Sequence, residues 1–242
     1  NQLKQLEMQF DATKQRLGNK FGTKKFIVYF QSFTNTYAPI STLKALYEKA
    51  LSFDNVIGLS IGTRTDCVTE EILDYLVDLS KTKEIWVEYG IQSFYDETLV
   101  RVNRGDSVSN MKHWIKRTKE KGLNVCGHLI YGLPDETQEM MLDTFRQTVE
   151  LNVDSIKFHP LYVVENTLLK KKKKKGKFTP ISEELYIDTV VKSIVNLPSN
   201  ISVQRITAGI DDSTLLSPEW CRDKHTQMKN IRLALEKEGF NY

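Results

Sequence analysis

Polar and charged side chains follow an apolar run in residues 85–105, IWVEYGIQSFYDETLVRVNRG. The run precedes Glu88, Gln92 and Arg104, and we expect the chain to turn at Gly90. Ligands of parallel α/β proteins bind at the carboxyl ends of the strands, where these side chains would lie. The guanidinium of Arg104 suits a carboxylate, which it can bind with two hydrogen bonds. The segment therefore predicts one wall of a small-molecule site.

Other predicted strands also end in residues that could bind a ligand. These residues are Gln31, Ser32, Thr34 and Asn35; Thr63, Arg64 and Asp66; His128; and His159. Because the carboxyl ends of parallel strands meet at one edge, we expect these side chains to gather at a common rim. Two simpler interpretations remain open: His128 could be a core histidine, and Arg64 with Asp66 could be a plain ion pair.

Several classes of protein are disfavoured by what the sequence lacks. It contains no G-x-S-x-G, H-E-x-x-H or P-loop motif, and its 4 His and 3 Cys show no metal-ligand spacing. Three widely spaced cysteines do not form a disulfide framework, which favours a reducing cytoplasm. A net charge of +3 is too small to indicate nucleic acid by itself, and no apolar run suits a membrane span.

The elements that must position these residues alternate between strands and helices. Strands are predicted at 25–30, 56–61, 85–90, 124–131, 155–158 and 201–206. Helices are predicted at 3–18, 41–52, 69–80, 96–102, 108–121, 137–151, 182–195 and 219–238, with Thr69 as an N-cap. This alternation is typical of a parallel α/β sheet with helices outside, and fewer than eight units argue against a closed barrel.

Residues 170–175 are consecutive lysines and form the one low-complexity stretch. A charge run of this kind is usually a solvated loop or a frayed helix. The alternative is a contact for phosphate or for an acidic partner.

Six segments, in order, resemble the radical S-adenosylmethionine (SAM) superfamily. They are FQSFTNTY (30–37), GTRTD (62–66), VEYGIQS (87–93), NRG (103–105), HLIYGLPDET (128–137) and KFHPLYV (157–163). The resemblance is strongest to the branch of oxygen-independent coproporphyrinogen oxidase and the elongator catalytic subunit, and within it to a group of uncharacterised bacterial proteins. It implies a partial (βα)₆ TIM-like barrel over 1–165, here lacking its first strand. Residues 166–242 would be a C-terminal extension packed on the barrel in the same domain.

The resemblance also implies the cofactors SAM and a [4Fe–4S] cluster, and a role for eight residues. Gln31 and Ser32 would receive the amino group of the SAM methionine, Gln92 the ribose, and Arg104 the methionine carboxylate; Leu133 and Leu161 would lie near the adenine; Glu88 matches the elongator-type pattern; and His128 replaces an Asp that binds ribose in the oxidase. Gly62 stands where relatives often carry Glu, which removes one expected contact to the amino group.

The cluster of this superfamily is held by three closely spaced cysteines in a loop after the first barrel strand. Cys67, Cys126 and Cys221 are too far apart in sequence to replace them. We therefore expect a fragment without the cluster loop, inactive by itself. The intact protein would cleave SAM with an electron from an external donor. The resulting 5′-deoxyadenosyl radical would abstract hydrogen from an unknown substrate.

Two alternatives remain open at this stage. One is a non-catalytic βα-repeat module that binds a nucleotide-like metabolite or a protein partner. The other, raised by the elongator resemblance, is an RNA-modifying enzyme acting on tRNA. Topology alone places the substrate near Arg205, Asp211, Asp212 and Trp220, each of which could instead be structural.

Overall fold

The computed structural model describes residues 2–31 and 33–240. Its strands are β1 (Phe26–Phe30), β2 (Val56–Thr63), β3 (Glu84–Gln92), β4 (Asn124–Tyr131), β5 (Ser155–Pro160), β6 (Val163–Val164), β7 (Ser202–Arg205) and β8 (Leu215–Ser217). Its α-helices are α1 (Gln2–Phe21), α2 (Ile40–Leu51), α3 (Glu70–Ser80), α4 (Asp96–Arg101), α5 (Val108–Glu120), α6 (Gln138–Glu150), α7 (Leu168–Lys174), α8 (Glu183–Val195) and α9 (Lys224–Lys237). The alternation of strand and helix confirms the predicted parallel α/β class. None of the helices in these ranges is long and apolar enough to cross a membrane.

The chain divides into two compact units. Unit 1 contains Asn1–Tyr89 and Trp114–Val125, and unit 2 contains Gly90–His113 and Cys126–Tyr242. The boundary predicted at residue 165 is a different division, between barrel and extension, and it stays a prediction.

Unit 1 is built on three parallel strands. β1 pairs with β2 and β2 pairs with β3, so that Tyr29 lies beside Ser60 and Gly62 beside Glu88. Strand β2 is almost wholly buried, which explains its continuous apolar sequence. Gly58 lets two backbones approach closely, because a Cβ there would lie 2.0 Å from the carbonyl oxygen of Glu84.

Unit 2 is built on the parallel strands β4, β5 and β7, and β6 pairs antiparallel with β8. Its core is aromatic: the rings of Tyr131 and Phe158 lie 5.5 Å apart, and those of Phe145 and Phe158 lie 6.3 Å apart. The buried hydroxyl of Tyr131 is satisfied by the Ser193 hydroxyl on α8 at 2.7 Å. Helices α6 and α8 therefore cover one face of these strands.

Thr69 is confirmed as an N-cap, because its side chain accepts a hydrogen bond from the backbone N–H of Ile72 at 3.3 Å. Two predicted helix ends were wrong. Helix α1 passes through Gly18 and ends before Gly22, whose φ of +63° suits a helix stop. The predicted terminal helix is broken at Asp223, whose carboxylate accepts from the N–H of Thr226 and caps α9.

The turn expected at Gly90 was also wrong. Strand β3 continues through Gly90 to Gln92, whose φ of +69° ends the strand. The N–H of Ser93 then donates to the carbonyl of Ile91 at 2.9 Å, which closes a tight turn. Glycine suggested a turn, but here it is an extended strand residue, and the left-handed conformation falls on a glutamine instead.

Candidate functional site

Glu88 is a carboxylate buried in unit 1, with only 2% of its surface exposed. The Tyr29 hydroxyl on β1 donates to its Oε2 at 2.9 Å, and the Ser60 hydroxyl on β2 donates to its Oε1. Tyr29, Ser60 and Glu88 share one face of the three strands, because side chains alternate along a strand. Hydrogen bonds from two strands fix the carboxylate orientation, as a buried charge requires.

The loop after β1 is held by Asn35. Its side-chain amide donates to the carbonyls of Phe30, at 3.0 Å, and of Gly62, at 2.8 Å. A Cβ at Gly62 would lie 3.1 Å from the Phe30 oxygen, so a larger residue would press on this loop. Gln31 is exposed at the start of the loop, and Ser32 lies outside the described residues.

Arg104 reaches the end of β3 from the turn that follows α4. Asn103, with a φ of +55°, and Gly105, with a φ of +68°, form this turn, and the Arg104 N–H donates to the Leu99 carbonyl at 2.8 Å. The guanidinium Nη2 donates to the carbonyl of Gly90 at 2.5 Å. Arg104 is therefore held beside β3 at Gly90, two residues before the strand ends at Gln92. The sequence predicted that Arg104 and Gln92 lie near the same strand end.

The loop 132–137 that follows β4 is fastened to the region of α4. The Ser93 hydroxyl donates to the Glu136 carboxylate, and Arg101 donates to the carbonyl of Pro134 at 2.9 Å. Arg101 also pairs with Asp135 at 3.0 Å. Burial raises the pKa of Glu136, while the Ser93 hydrogen bond and the charge of Arg101 oppose that rise. Three polar contacts thus determine the position of this loop.

Leu133 and Leu161 are brought to the same end of unit 2. The N–H of Leu161 donates to the carbonyl of Tyr131 at 2.8 Å, immediately before the 132–137 loop. Leu133 is buried, and Leu161 is half-buried. Leu133 also lines a cavity of about 590 Å³ between this loop and the segment 176–182. Both leucines therefore follow the carboxyl ends of β4 and β5.

His128 is half-buried on β4, with its Cα opposite that of Lys157 on β5. Cys126 lies two residues earlier on the same face and is fully buried, as expected for packing. His159 lies two residues beyond Lys157. Burial lowers the pKa of His159 to about 4, helped by the charges of Arg205 and His128. The two histidines therefore occupy one face of unit 2.

Comparison with known proteins identifies the family of this chain. The model of the radical SAM superfamily matches residues 5–148, and that of the Radical_SAM C-terminal domain matches residues 153–237. The uncharacterised Bacillus subtilis protein YtqA is 34% identical over 239 residues, covering 99% of this chain and 74% of that protein. This chain belongs to the radical SAM superfamily.

Two further likenesses come from Methanocaldococcus infernus. Its tRNA uridine(34) acetyltransferase is 30% identical over 163 residues, covering 66% of this chain and 30% of that protein. The solved structure of its Elp3 with an N-terminal deletion superposes with a TM-score of 0.83 at 24% identity, covering 98% of this chain and 60% of that one. The second likeness shows that the radical SAM chain has the expected TIM-like partial-barrel fold.

The cysteines of this radical SAM chain do not fit a [4Fe–4S] cluster. Cys67 lies in unit 1, in the 3-10 helix Thr65–Cys67, whereas Cys126 and Cys221 are buried in different elements of unit 2. Burial raises the pKa of the Cys221 thiol to about 12, the opposite of what an iron ligand needs. Cys67 also has a raised pKa, from partial burial and the neighbouring Asp66 carboxylate.

The donor set is better suited to SAM. A guanidinium can bind the methionine carboxylate of SAM, and a side-chain amide can bind its ribose. Leucine side chains can pack against its adenine. In unit 2 the structure brings Arg104 to the β3 end and joins Leu161 to the β4 end. Gln31 and Glu88 belong to unit 1.

The sequence did not predict the contacts that fasten the 132–137 loop, which involve Ser93, Arg101 and Glu136, although Glu136 lies inside the segment 128–137. In each contact the two residues are more than thirty positions apart, so their spacing gave no signal. The Arg64–Asp66 ion pair, in contrast, was foreseen as one alternative and forms at 2.6 Å.

Proposed function

We propose that unit 2 carries the carboxylate, ribose and adenine contacts of a SAM site. Arg104 would bind the methionine carboxylate, Gln92 the ribose, and Leu133 with Leu161 the adenine. The observation that carries the proposal is the guanidinium of Arg104 anchored on the Gly90 carbonyl beside the end of β3. An arginine side chain carries five N–H donors, so one guanidinium can hold a backbone carbonyl and also bind a carboxylate.

The remaining proposed contacts concern the amino group and ribose of SAM. Gln31, at the start of the loop after β1, would receive the amino group together with Ser32, and His128 would face the ribose. Glu88 is a fixed acceptor, because Tyr29 and Ser60 hold both of its oxygens. Its negative charge suits the cationic half of the cofactor.

The chemistry that SAM supplies in this superfamily is reductive cleavage to a 5′-deoxyadenosyl radical, which abstracts hydrogen from a substrate. This chain's residues would bind and orient SAM and exclude water from it. This chain's three cysteines do not fit the cluster, and the electron for cleavage would come from an external donor. That the setting is cytoplasmic stays a prediction.

The enzyme proposal is tested with a full-length protein that contains this chain, reconstituted anaerobically with iron and sulfide. We expect dithionite and SAM to yield 5′-deoxyadenosine, measured by liquid chromatography and mass spectrometry. Protein without iron is the control, because it leaves this chain's SAM contacts intact while removing the electron source.

The rival is a non-catalytic module that binds a nucleotide-like metabolite. Binding of SAM without 5′-deoxyadenosine, in protein shown to hold a reducible cluster, would favour that rival and contradict the enzyme proposal.

We further propose that tRNA is the substrate, on the strength of one surface and one relative. Helix α7 begins after its N-cap Thr167 and presents consecutive lysines, the last of which, Lys175, is its C-cap. Within the described ranges, no ion pair is formed by Lys171, Lys172, Lys173 or Lys175. Lys170, by contrast, is paired with Glu165. The M. infernus relative named above acts, by its name, on uridine 34 of tRNA. A row of solvated cations is the feature that a phosphate backbone needs.

For tRNA, we expect binding that weakens with salt, because each neutralised phosphate releases counterions. Replacing Lys171, Lys172, Lys173 and Lys175 with glutamine should lower the slope of log affinity against log salt, measured by filter binding. Replacing the paired Lys170 is the matched control. Undiminished binding by the four-lysine variant would remove α7 from the interface.

A further inference from the structure

Basic residues lie at neighbouring register positions of unit 2. The Cα atoms of His128 and Lys157 are paired across β4 and β5, and those of Lys157 and Arg205 are paired across β5 and β7. His159 follows two residues after Lys157 on the same face of β5. The β5–β7 register shifts between Ile156 and Lys157, so the proximity of Arg205 to His159 rests instead on its charge, which helps to lower the pKa of His159.

Arg205 differs from two other residues that topology placed near a substrate, Asp212 and Trp220. Trp220 donates to the Ile181 carbonyl at 3.2 Å and packs 5.3 Å from the ring of Tyr186. Asp212 accepts from the N–H of Thr214 at 2.7 Å, and its own carbonyl accepts from Arg222. These contacts give both residues structural roles.

The guanidinium of Arg205 has no such partner. Its Nε is buried and has no hydrogen bond in the described part of the chain, and no carboxylate there forms an ion pair with it. The residue as a whole is half-buried, at the last position of β7. Burying a guanidinium nitrogen without an acceptor is costly, so such a group points to a ligand that the protein alone does not supply.

Two aromatic side chains complete the surroundings of Arg205. The rings of His159 and Tyr162 lie 4.9 Å apart, and the charge of Arg205 acts on both side chains. His159 Nδ1 lies 2.7 Å from the carbonyl oxygen of Pro160, which can only accept, so Nδ1 carries the proton. Burial and the charge of Arg205 lower the pKa of His159 to about 4, so Nε2 is unprotonated near neutral pH and the imidazole is neutral beside the arginine.

We propose that Arg205 binds an anionic oxygen group of the substrate, a carboxylate or a phosphate, with His159 and Tyr162 as the walls of this subsite. A guanidinium can engage either group with two parallel hydrogen bonds. The inference rests on the proposed function, because it assumes that the substrate enters at the carboxyl ends of the same strands as SAM. It adds a substrate subsite that is separate from the carboxylate contact proposed for Arg104.

His159 provides a reporter for the test, because a bound anion would offset the charge of Arg205. We would titrate His159 by NMR in a full-length protein, with inorganic phosphate or acetate as the probe at constant ionic strength. The His159 signal is assigned by its loss in His159→Gln. We expect a bound anion to raise the pKa of His159 by about one pH unit, the scale of one nearby charge in partly exposed surroundings.

Arg205→Gln should raise the pKa of His159 without any anion and abolish the response. Arg205→Lys, which keeps the charge, should retain a weaker response and guards against a folding defect in the first variant. Preference for phosphate or for acetate would tell which group the subsite takes. An equal response in wild type and Arg205→Gln, or none in either, would overturn the proposal.

SAM affinity measured on the same samples separates the two proposals. Absence of an anion response in wild-type protein that binds SAM normally would contradict the subsite alone. A normal anion response in wild-type protein that fails to bind SAM would contradict the proposed function instead.

Discussion

Replacing Arg104 with alanine is expected to weaken SAM binding by more than tenfold in a full-length, cluster-loaded protein. The reason is the loss of a charge-assisted contact to the methionine carboxylate, which is worth about 1.5–3 kcal/mol. Equilibrium dialysis or calorimetry with SAM gives the affinity. We expect Arg104→Lys to recover only part of it, because an ammonium keeps the charge but loses the two-point geometry.

Two controls separate binding from folding in this experiment. Arg104 also holds the Gly90 carbonyl, so the melting temperature of each variant is measured beside its affinity. Arg146→Ala removes an arginine whose side chain is 49% exposed and pairs with Glu139 on the surface. That variant should bind SAM normally, since exposed pairs contribute little. Unchanged affinity in Arg104→Ala would remove this residue from the site.

The second large effect is expected at Gly132, where the 132–137 loop begins. Its φ is +90°, and an added Cβ would lie 2.7 Å from both Cβ and Cγ2 of the buried Ile181. A left-handed alanine costs about 1–2 kcal/mol, and forcing extra volume into a packed site costs about 1–3 kcal/mol. We expect Gly132→Ala to lower the free energy of unfolding by about 2–5 kcal/mol in urea denaturation.

Gly176→Ala is the matched control, because Gly176 has a φ of +66° but nothing within 4 Å of an added Cβ. Gly176→Ala should lower the free energy of unfolding only by the cost of a left-handed alanine, about 1–2 kcal/mol. Gly132→Ala should in addition weaken SAM binding, since Leu133 follows the altered residue directly. Equal destabilisation in the two variants would show that the Ile181 contact is unimportant.

Much of the fold was predictable because strand and helix periodicities are local properties. β4 was placed with its observed bounds, and the Thr69 cap was correct. The errors came where a longer-range interaction overrode a local signal. Gly90 suggested a turn, yet it lies in the extended strand β3. The strands β6 and β8 were not predicted, because each has too few residues to show an alternation of apolar and polar side chains.

The site was predictable only in part, for a similar reason. Motif resemblance suggested Glu88, Gln92 and Arg104, because their types suit SAM. It could not suggest that Tyr29 and Ser60 would hold Glu88, since those contacts join residues 59 and 28 positions apart. That Arg205 Nε has no hydrogen bond within residues 2–31 and 33–240 is likewise visible only once its neighbours are placed.

The most direct test of the account is a crystal structure of a full-length protein containing this chain, with SAM bound. We predict the methionine carboxylate within hydrogen-bond distance of the Arg104 guanidinium, the ribose at Gln92, and the adenine between Leu133 and Leu161. A structure in which SAM binds with its carboxylate away from Arg104 would contradict the proposed site.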